Sequence, residues 1–156
     1  MAELRKFQLQ LGDLLAHTSS REVSKLSTQI GRDMRQRQRR RITAQQNSDG
    51  SAYPPRKPQP PSLRYKQGRI KRKMFTKLKG DKFLKIRQAQ GQGQAVEIGF
   101  FTSRIARIAR VHQYGLRDRP RKAVREVQYP KRELLGFSAE DEAYVMENVL
   151  TFLGNS

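Results

Sequence analysis

The sequence predicts an α+β fold: a small, mainly antiparallel sheet with N-terminal helices, a helix following the central hairpin and a C-terminal helix. Three observations lead to this prediction. Apolar residues recur at spacings of three and four near both ends of the chain. Apolar and polar residues alternate beside a glycine-containing turn at residues 90–94. Serine precedes an acidic residue by three positions at two predicted helix starts.

Residues 1–46 are predicted to form the N-terminal helices. In residues 3–16 the apolar positions have helical spacing: Leu4, Phe7, Leu11, Leu14 and Leu15. Ser19 with Glu22 is a capping-box signal for a second helix that continues to about Gln45. Its apolar stripe consists of Val23, Leu26, Ile30 and Met34. Beyond this stripe the helix is polar and basic on most sides, so it needs a partner surface or solvent.

Residues 47–80 are predicted to form a proline-rich and basic arm. Residues 47–62 contain five of the seven prolines and an Asp49-Gly50 pair, which favours an extended arm or loop. The stretch from 63 to 80 carries eight basic residues. Its apolar positions suggest one helix that ends at Gly80: Ile70, Met74, Phe75 and Leu78.

Residues 81–156 are predicted to form the α+β body of a single domain that spans residues 1–156. A β-hairpin occupies residues 82–100, with its turn around Gly91 and Gly93. Thr102 or Ser103 begins a helix that ends at Gly115. Residues 123–129 alternate well enough for a strand. Ser138 with Asp141 begins the last helix.

The charge is large and uneven. The chain has 156 residues, with 33 Lys and Arg against 14 Asp and Glu, and a formal net charge of +19. Residues 137–156 nevertheless contain four acids and no basic residue. In a protein that stacks on copies of itself, opposite patches offer a way to set register. No apolar run approaches the roughly 18–20 residues that a membrane span needs, so we expect no membrane partner.

No pattern typical of catalysis is found, and we predict no enzymatic activity, no cofactor and no metal site. The absence of Cys excludes a disulfide framework, a Cys-ligated zinc site and thiol catalysis. His17 and His112 have no spaced carboxylate partner. The acids at 140–142 fall in the first turn of the last predicted helix, where the helix dipole favours negative charge. Nuclease and toxin-like enzymes would need clustered acids or histidines, which the sequence lacks.

Two basic clusters are candidates for an interface or a DNA-facing surface. The first is Arg35, Arg37, Arg39, Arg40 and Arg41, and the second group is Lys71, Arg72, Lys73, Lys77 and Lys79. Arg56 and Lys57 are further candidates. Aromatic residues interleave the second group, as stacking on nucleic acid would require. Solvated faces and surfaces for acidic proteins have the same composition, and the sequence leaves these alternatives open. The alternative function is therefore a basic nucleic-acid-binding protein, similar to a ribosomal protein, although no named nucleic-acid motif is present.

The C-terminal third carries more specific motifs. A helix leads into His112-Gln113-Tyr114-Gly115, and about a dozen residues later comes the segment Tyr129-Pro130-Lys131-Arg132-Glu133-Leu134-Leu135-Gly136. Asp141 then stands in the Ser-x-x-Asp start of the last helix. Together with the Asp-Gly-Ser-x-Tyr stretch at 49–53, this order resembles the virion morphogenesis, or S-type tail completion, family of contractile-tailed phages of the Mu type. The resemblance spans most of the chain, although the family often has Pro-Ala-Arg-Pro-Phe where this chain has a different sequence around Arg132.

The resemblance implies a structural, non-enzymatic protein that completes the phage tail at its head-proximal end and makes it competent for head–tail joining. The implied partners are copies of itself in a ring of six-fold symmetry, the tail tube or terminator protein, and the head connector. Such a protein is assembled in the host cytoplasm and resides in the tail or neck of the virion. A basic ring implies non-specific contact with DNA. Our hypothesis is that residues 47–62 and 63–80 reach neighbouring subunits or the tube, or line the lumen.

The motif residues also have expected physical roles. Gly115 permits a left-handed helix cap, and Tyr114 is expected to cover the helix end while its hydroxyl reaches a polar partner. We expect His112 to be a hydrogen-bonded corner residue rather than a titrating switch.

The segment after the predicted strand has expected contacts of its own. Pro130 ends strand pairing, and Arg132 is expected to bond a carboxylate such as Asp141 or a backbone carbonyl. Leu134 and Leu135 are expected to pack under the last helix.

Overall fold

A computed structural model describes residues 19–58, 73–90 and 94–155. The elements in these residues are α1 (Ser20–Thr43), β1 (Leu84–Gln88), β2 (Val96–Phe100), α2 (Ser103–Tyr114), β3 (Arg117–Asp118), β4 (Val127–Gln128) and α3 (Ala139–Gly154). This order confirms the predicted α+β class, with a helix after the hairpin and a C-terminal helix. The predicted helix at 3–16 and the glycines of the hairpin turn lie outside the described residues. Among the described helices, none is long and apolar enough to cross a bilayer.

Helix α1 begins where the sequence predicts. The Ser19 hydroxyl accepts a hydrogen bond from the Glu22 backbone N–H at 3.3 Å, which satisfies one donor of the first turn. The helix ends at Thr43, two residues before the predicted end, and Gln45 adopts a left-handed conformation with φ of 58°. Its buried positions in the second half are Met34, Gln38 and Ile42, each four residues apart. The buried face therefore continues beyond the predicted apolar stripe, with a glutamine in line.

The hairpin packs against α1. Strands β1 and β2 pair antiparallel, from Leu84 opposite Phe100 to Gln88 opposite Val96, as predicted. Gly31 of α1 lies against this pair: a Cβ built on it would come within 2.8 Å of the Val96 Cγ1. The glycine that lowers the helix propensity of α1 therefore allows the helix to approach the hairpin closely.

The core lies between α1, the hairpin, α2 and the segment before α3. Its buried members are Ile42, Leu84, Phe100, Ala109 and Leu134. Ile42, Leu84 and Leu134 are completely buried, and burial of such a side chain contributes roughly 1.5–3 kcal/mol. The expectation that Leu134 packs under the last helix is thus wrong, because its core neighbours come from α1, β1, β2 and α2.

Two predicted elements differ from the structure. Of the predicted strand at residues 123–129, only Val127–Gln128 forms a strand, which pairs with Arg117–Asp118. Residues 123–126 are exposed and have no buried face that would hold a strand. Residues 73–80 form turns rather than the end of a helix. Phe75 has a φ of 62°, outside the helical region, and its ring packs between Tyr53 and His112. These tertiary contacts hold the aromatic side chain where a helix would not place it.

Helix α3 rests on α1. The Ser138 hydroxyl accepts from the Asp141 N–H and the Asp141 carboxylate accepts from the Ser138 N–H, both at 3.1 Å, which confirms the predicted capping box. Further along, the Tyr144 hydroxyl donates to the Asp33 carboxylate, and the Arg37 guanidinium lies 4.3 Å from the centre of the Tyr144 ring. Burial, followed by this hydrogen bond to Asp33, raises the pKa of Tyr144 to about 12.

Candidate functional site

Most of the predicted motif residues meet around one extended stretch, residues 129–136, which we call the junction segment. It runs between α1, α2 and the loop at residues 47–55. Surrounding side chains bond to the backbone groups of Glu133, Leu135 and Gly136, which are therefore paired although they belong to no sheet. The site is therefore a joint between elements that are distant in sequence.

Gln113 holds the junction segment against α2. Its side-chain Nε2 donates to the Leu135 carbonyl at 2.7 Å. Its Oε1 accepts from the backbone N–H groups of Leu134 and Leu135 at 2.8 and 3.0 Å. One amide side chain thereby satisfies three backbone groups, in the way a neighbouring strand would.

Gln38 of α1 does the same on the other side of the segment. Its Nε2 donates to the Gly136 carbonyl at 3.0 Å and its Oε1 accepts from the Gly136 N–H at 3.1 Å. Arg41 donates to the same carbonyl at 2.6 Å. Gly136 is close-packed, since a Cβ there would lie 2.9 Å from the Ser48 Cβ. The polar second half of α1 therefore has a partner surface inside the protein.

The loop at residues 47–55 is fastened to the junction segment at Glu133. The Glu133 N–H donates to the Asn47 Oδ1 at 2.9 Å, and the Glu133 carbonyl accepts from the Tyr53 hydroxyl at 2.6 Å. The Glu133 carboxylate accepts from the Ser48 N–H at 3.1 Å and from its hydroxyl. The Ser48 hydroxyl bond, opposed by burial, lowers the pKa of Glu133. Burial raises the pKa of Tyr53 to about 12.

Arg132 completes the attachment of this loop. Its Nε donates to the Pro54 carbonyl at 2.8 Å and its Nη2 to the Pro55 carbonyl at 2.9 Å. The side chain is buried, and this burial lowers the pKa of Arg132 from its ordinary value. Of the two expected partners, Arg132 therefore binds backbone carbonyls and not Asp141. Proline has no backbone N–H, so each of these two residues offers only its carbonyl for a backbone hydrogen bond.

His112 lies in a row of aromatic rings. Its imidazole packs edge-on against Phe75, at 4.8 Å between centroids, and against Tyr129, at 5.0 Å. Its backbone carbonyl accepts from the Arg132 N–H at 2.8 Å. The imidazole Nδ1 is buried and has no hydrogen-bond partner in the described structure. The expected hydrogen-bonded corner is thus made by the backbone of His112, while its side chain serves packing.

This environment predicts acid sensitivity. Burial, then the charges of Arg132 and Arg56, lowers the pKa of His112 to about 4 from 6.5. His112 binds a proton less well in the folded state than in the unfolded state. The stability that depends on neutral His112 is therefore complete above pH 6.5 and is lost as the pH falls toward 4. We expect the free energy of unfolding to fall by about 1–2 kcal/mol over this range, allowing for partial solvent exposure.

Urea unfolding of wild-type and His112→Phe protein between pH 7 and 4.5 measures this effect. The variant should lose most of the slope, because the aromatic packing is kept and the titrating group is removed. His17→Gln is the control, since it removes the other histidine. An unchanged slope in His112→Phe would assign the acid sensitivity to other groups.

Asp141 joins α3 to α1. Its carboxylate accepts from Arg41 at 3.0 Å and from Arg37 at 3.4 Å, and its side chain is only 4% exposed. Burial opposes ionisation, but the Ser138 backbone N–H bond and the Arg41 charge together lower the pKa of Asp141. A groove of about 610 Å³ passes this ion pair, between α1, residues 46–50 and the start of α3. The Asp141 carboxylate already partners the two arginines there.

The first basic cluster is largely paired within the chain. Arg35 and Arg39 bind the exposed Asp81 carboxylate, the latter at 2.9 Å, and Arg37 and Arg41 bind Asp141 as above. Arg40 is exposed and makes no ion pair with the described residues. In the second group Lys73 and Lys77 are exposed, Lys79 donates to the Thr43 hydroxyl at 2.6 Å, and Lys71 and Arg72 lie outside the described residues. Arg56 and Lys57 are also exposed.

At the helix corner Tyr114-Gly115, the prediction for Gly115 is confirmed and the prediction for Tyr114 is not. Gly115 adopts the left-handed conformation, with φ of 63°, and its N–H bonds to the Val111 carbonyl. Tyr114 is 64% exposed and makes no hydrogen bond with the described residues through its hydroxyl, so the expectation that it covers the helix end is wrong. The reason is geometric: Lys131 of the junction segment already lies over this corner.

Gly115→Ala is expected to destabilise the protein by about 2 kcal/mol or more. The left-handed conformation strains any residue with a Cβ, and this Cβ would also lie 2.9 Å from the Lys131 backbone N. Gly50→Ala is the matched control: Gly50 has φ of 86°, but its Cβ would meet nothing within 4 Å. Urea unfolding should give about 1 kcal/mol for the control. Equal losses would mean that contact with the junction segment contributes nothing.

Sequence reasoning missed three polar residues that organise the site. Gln38 and Asn47 bond to backbone groups of the junction segment. Gln45 instead bonds to the N–H and the carbonyl of Met74, at 2.7 and 3.0 Å. Of the three, only Gln38 could have been predicted from the sequence as a buried residue, because it stands between Met34 and Ile42 at helical spacing. The others follow the helix end, where periodicity gives no information.

Comparison with known proteins bears on this arrangement. The sequence profile of the phage virion morphogenesis family matches residues 2–154. The chain belongs to this family. It is 39% identical to tail completion protein S of Escherichia phage P2 over 153 residues, which cover 98% of this chain and 99% of the phage P2 protein. No solved structure gives a significant match. The junction segment and the helix corner thus lie well inside the matched region.

Proposed function

We propose that this protein is a structural, non-enzymatic tail completion protein that acts at the head-proximal end of a phage tail and makes it competent for head–tail joining. The observation that carries the proposal is the 39% identity with tail completion protein S across nearly the whole of both chains.

The site geometry supports a structural role for the motif residues. The polar atoms of Gln113 and Arg132 bond to backbone groups of the same chain rather than facing a cleft. Side chains used in this way position elements, and they are not available to a substrate. We therefore assign the motif to the fold of the subunit, and assembly contacts to the surfaces around it.

Deletion of the gene from the phage genome that carries it tests the proposal. Lysates should contain DNA-filled heads and unjoined tails by electron microscopy, and few infectious particles. Purified protein added to such lysates should restore plaque-forming particles, as should expression from a plasmid. Complete, infectious virions in the deletion lysate would overturn the proposal.

The ring is part of the proposal. We propose that copies associate in a closed ring, with hexamer as the expected number, which contacts the tail tube or terminator and the head connector. The protein would then be assembled in the host cytoplasm and remain in the virion. Negative-stain microscopy of the purified protein, alone and with tail tubes, tests this step. A monomer that ignores tubes would contradict it.

Non-specific contact with DNA is a separate step of the proposal, supported by the exposed cations Arg40, Arg56, Lys57 and Lys73. Binding to duplex DNA of unrelated sequences should be weak and equal. The alternative, a nucleic-acid-binding protein similar to a ribosomal protein, predicts tight binding to RNA and a steep decrease of affinity with salt, about one log unit per contacted phosphate for each tenfold rise in salt. Fluorescence anisotropy over a salt series separates the two.

A further inference from the structure

Six large apolar side chains are exposed among the described residues, and they fall into two groups. Tyr114, Leu116 and Val124 lie at the end of α2 and beyond it, and Phe137, Met146 and Leu150 lie at or on α3. Their exposed fractions range from 37% to 64%. Single exposed apolar residues need no explanation, whereas grouped ones mark contact surfaces. The charges around each group decide what it can contact.

Two residues of the second group, Met146 and Leu150, belong to a stripe along α3. The four residues of this stripe are exposed and follow each other at intervals of four, three and four: Ala139, Ala143, Met146 and Leu150. This spacing puts them on one side of the helix, as in the seam of a coiled coil. Three exposed acids flank the stripe on both sides: Glu140, Glu142 and Glu147. The side of α3 that meets α1 instead carries Asp141 and Tyr144. We call the stripe and its acids the acidic face.

The first group lies in a strongly basic stretch. Residues 104–125 contain eight basic residues, all exposed, and one acid, Asp118. Arg107 pairs with that acid. The other seven make no ion pair with the described residues: Arg104, Arg110, Arg117, Arg119, Arg121, Lys122 and Arg125. Arg104 and Arg110 lie on α2, and the other five lie on β3 and in the loop between β3 and β4. We call these five cations, with Tyr114, Leu116 and Val124, the basic face.

We propose that the acidic face of one copy binds the basic face of the next copy. Both faces are exposed in the same chain, so they do not cover each other within a subunit. Each presents apolar side chains surrounded by charge, and the two signs are opposite, as complementary interfaces require. DNA would use the basic face alone, and would leave the acid-flanked stripe of α3 exposed.

This pairing has a geometric consequence. Two different surfaces that bind each other make a head-to-tail contact, and repeated head-to-tail contacts give a ring when the rotation closes and a filament when it does not. The inference rests on the proposed ring and deepens it, because it names the two surfaces that meet at every subunit boundary.

Two double variants break one face each without touching the core. Met146→Lys with Leu150→Lys breaks the acidic face, and Arg121→Glu with Arg125→Glu breaks the basic face. Each has a control with the same charge change elsewhere on the surface: Gln36→Lys with Gln90→Lys for the first, and Lys25→Glu with Arg32→Glu for the second. The four control positions are exposed.

Sedimentation equilibrium of the full-length protein measures self-association. The wild type and both controls should associate, more weakly at high salt because the contact is charged. Each face variant should raise the dissociation constant about tenfold or more. An equal mixture of the two face variants should form a dimer and nothing larger, since each retains the face that the other has lost.

Several outcomes would overturn the inference. They are a monomeric wild type, a face variant that associates like its control, or a mixture that stays monomeric. A variant of the acidic face that lowers the melting temperature but not the association would mean that another part of the same chain covers the stripe. Loss of DNA binding without loss of association in the basic-face variant would assign that face to DNA. Each result leaves the tail completion role untouched, because the gene deletion tests that role independently.

Discussion

Asp141→Ala is expected to lower the free energy of unfolding by about 3–4 kcal/mol. The carboxylate is buried and is the shared partner of Arg41 and Arg37, so its removal leaves Arg41, with a side chain only 11% exposed, without an anion. Breaking a buried ion pair from one side costs about 3–5 kcal/mol, and loss of a helix cap costs about 1. Because Arg37 is 32% exposed and water can replace part of its pairing, we expect a loss at or just below the lower end of this sum.

Glu140→Ala is the matched control for this prediction. It removes the same charge from the same helix turn, but Glu140 is exposed and makes no ion pair with the described residues. Its cost should be below about 1 kcal/mol, the usual range for the helix-dipole effect. Urea unfolding at neutral pH gives both values. Similar losses for the two variants would mean that Asp141 acts only through the dipole.

Asp141→Asn separates the charge from the cap. Asparagine keeps a cap acceptor, so the remaining loss, about 2 kcal/mol, reports the pairing with arginine. Because the folded-state pKa of Asp141 is lowered, its contribution is complete above the ordinary value of 3.8 and is lost as the pH falls below it. The difference between wild type and Asp141→Asn should therefore shrink below about pH 4. A difference that persists in acid would point to shape rather than charge.

The sequence was most informative where local chemistry decides the structure. The starts of α1 and α3 follow from Ser19 and Ser138, whose side chains bond three residues along the chain. Gly115 ends α2 because only a residue without a Cβ fits that conformation against Lys131. In each case the structure is determined either by contacts that span a few residues or by a steric limit that the residue type itself reveals.

Long-range contacts explain what the sequence could not indicate. Phe75 is not helical as predicted, because its ring packs against Tyr53 and His112, which are distant in sequence. Arg132 was expected to bind a carboxylate such as Asp141 or a backbone carbonyl; the fold gives it the carbonyls of Pro54 and Pro55, and brings Arg41 to Asp141. A charged pair can be anticipated from composition, whereas the choice of partner depends on the tertiary arrangement.

Gln113→Met is expected to cost about 3 kcal/mol. Methionine has nearly the same length, so the loss comes from hydrogen bonds rather than from volume. The N–H groups of Leu134 and Leu135 and the Leu135 carbonyl would lose their partner, and a buried unsatisfied backbone group costs about 1–3 kcal/mol. Partial access of water keeps the expected sum near the lower end.

The consequences of Gln113→Met should spread beyond α2, because Gln113 fixes the same segment that Gln38 and Glu133 hold. Hydrogen exchange should therefore show faster exchange at Leu134, at Leu135 and at Tyr53, whose hydroxyl bonds to that segment. Gln29→Met is the control: Gln29 is exposed, and among the described residues its side chain bonds only to Asp33 one turn away, so the loss should stay below about 0.5 kcal/mol. If Gln113→Met were as mild as this control, the hydrogen bonds made through Gln38 and Glu133 and the apolar contacts would suffice to hold the junction segment, and the amide of Gln113 would not be the element that fastens it to α2.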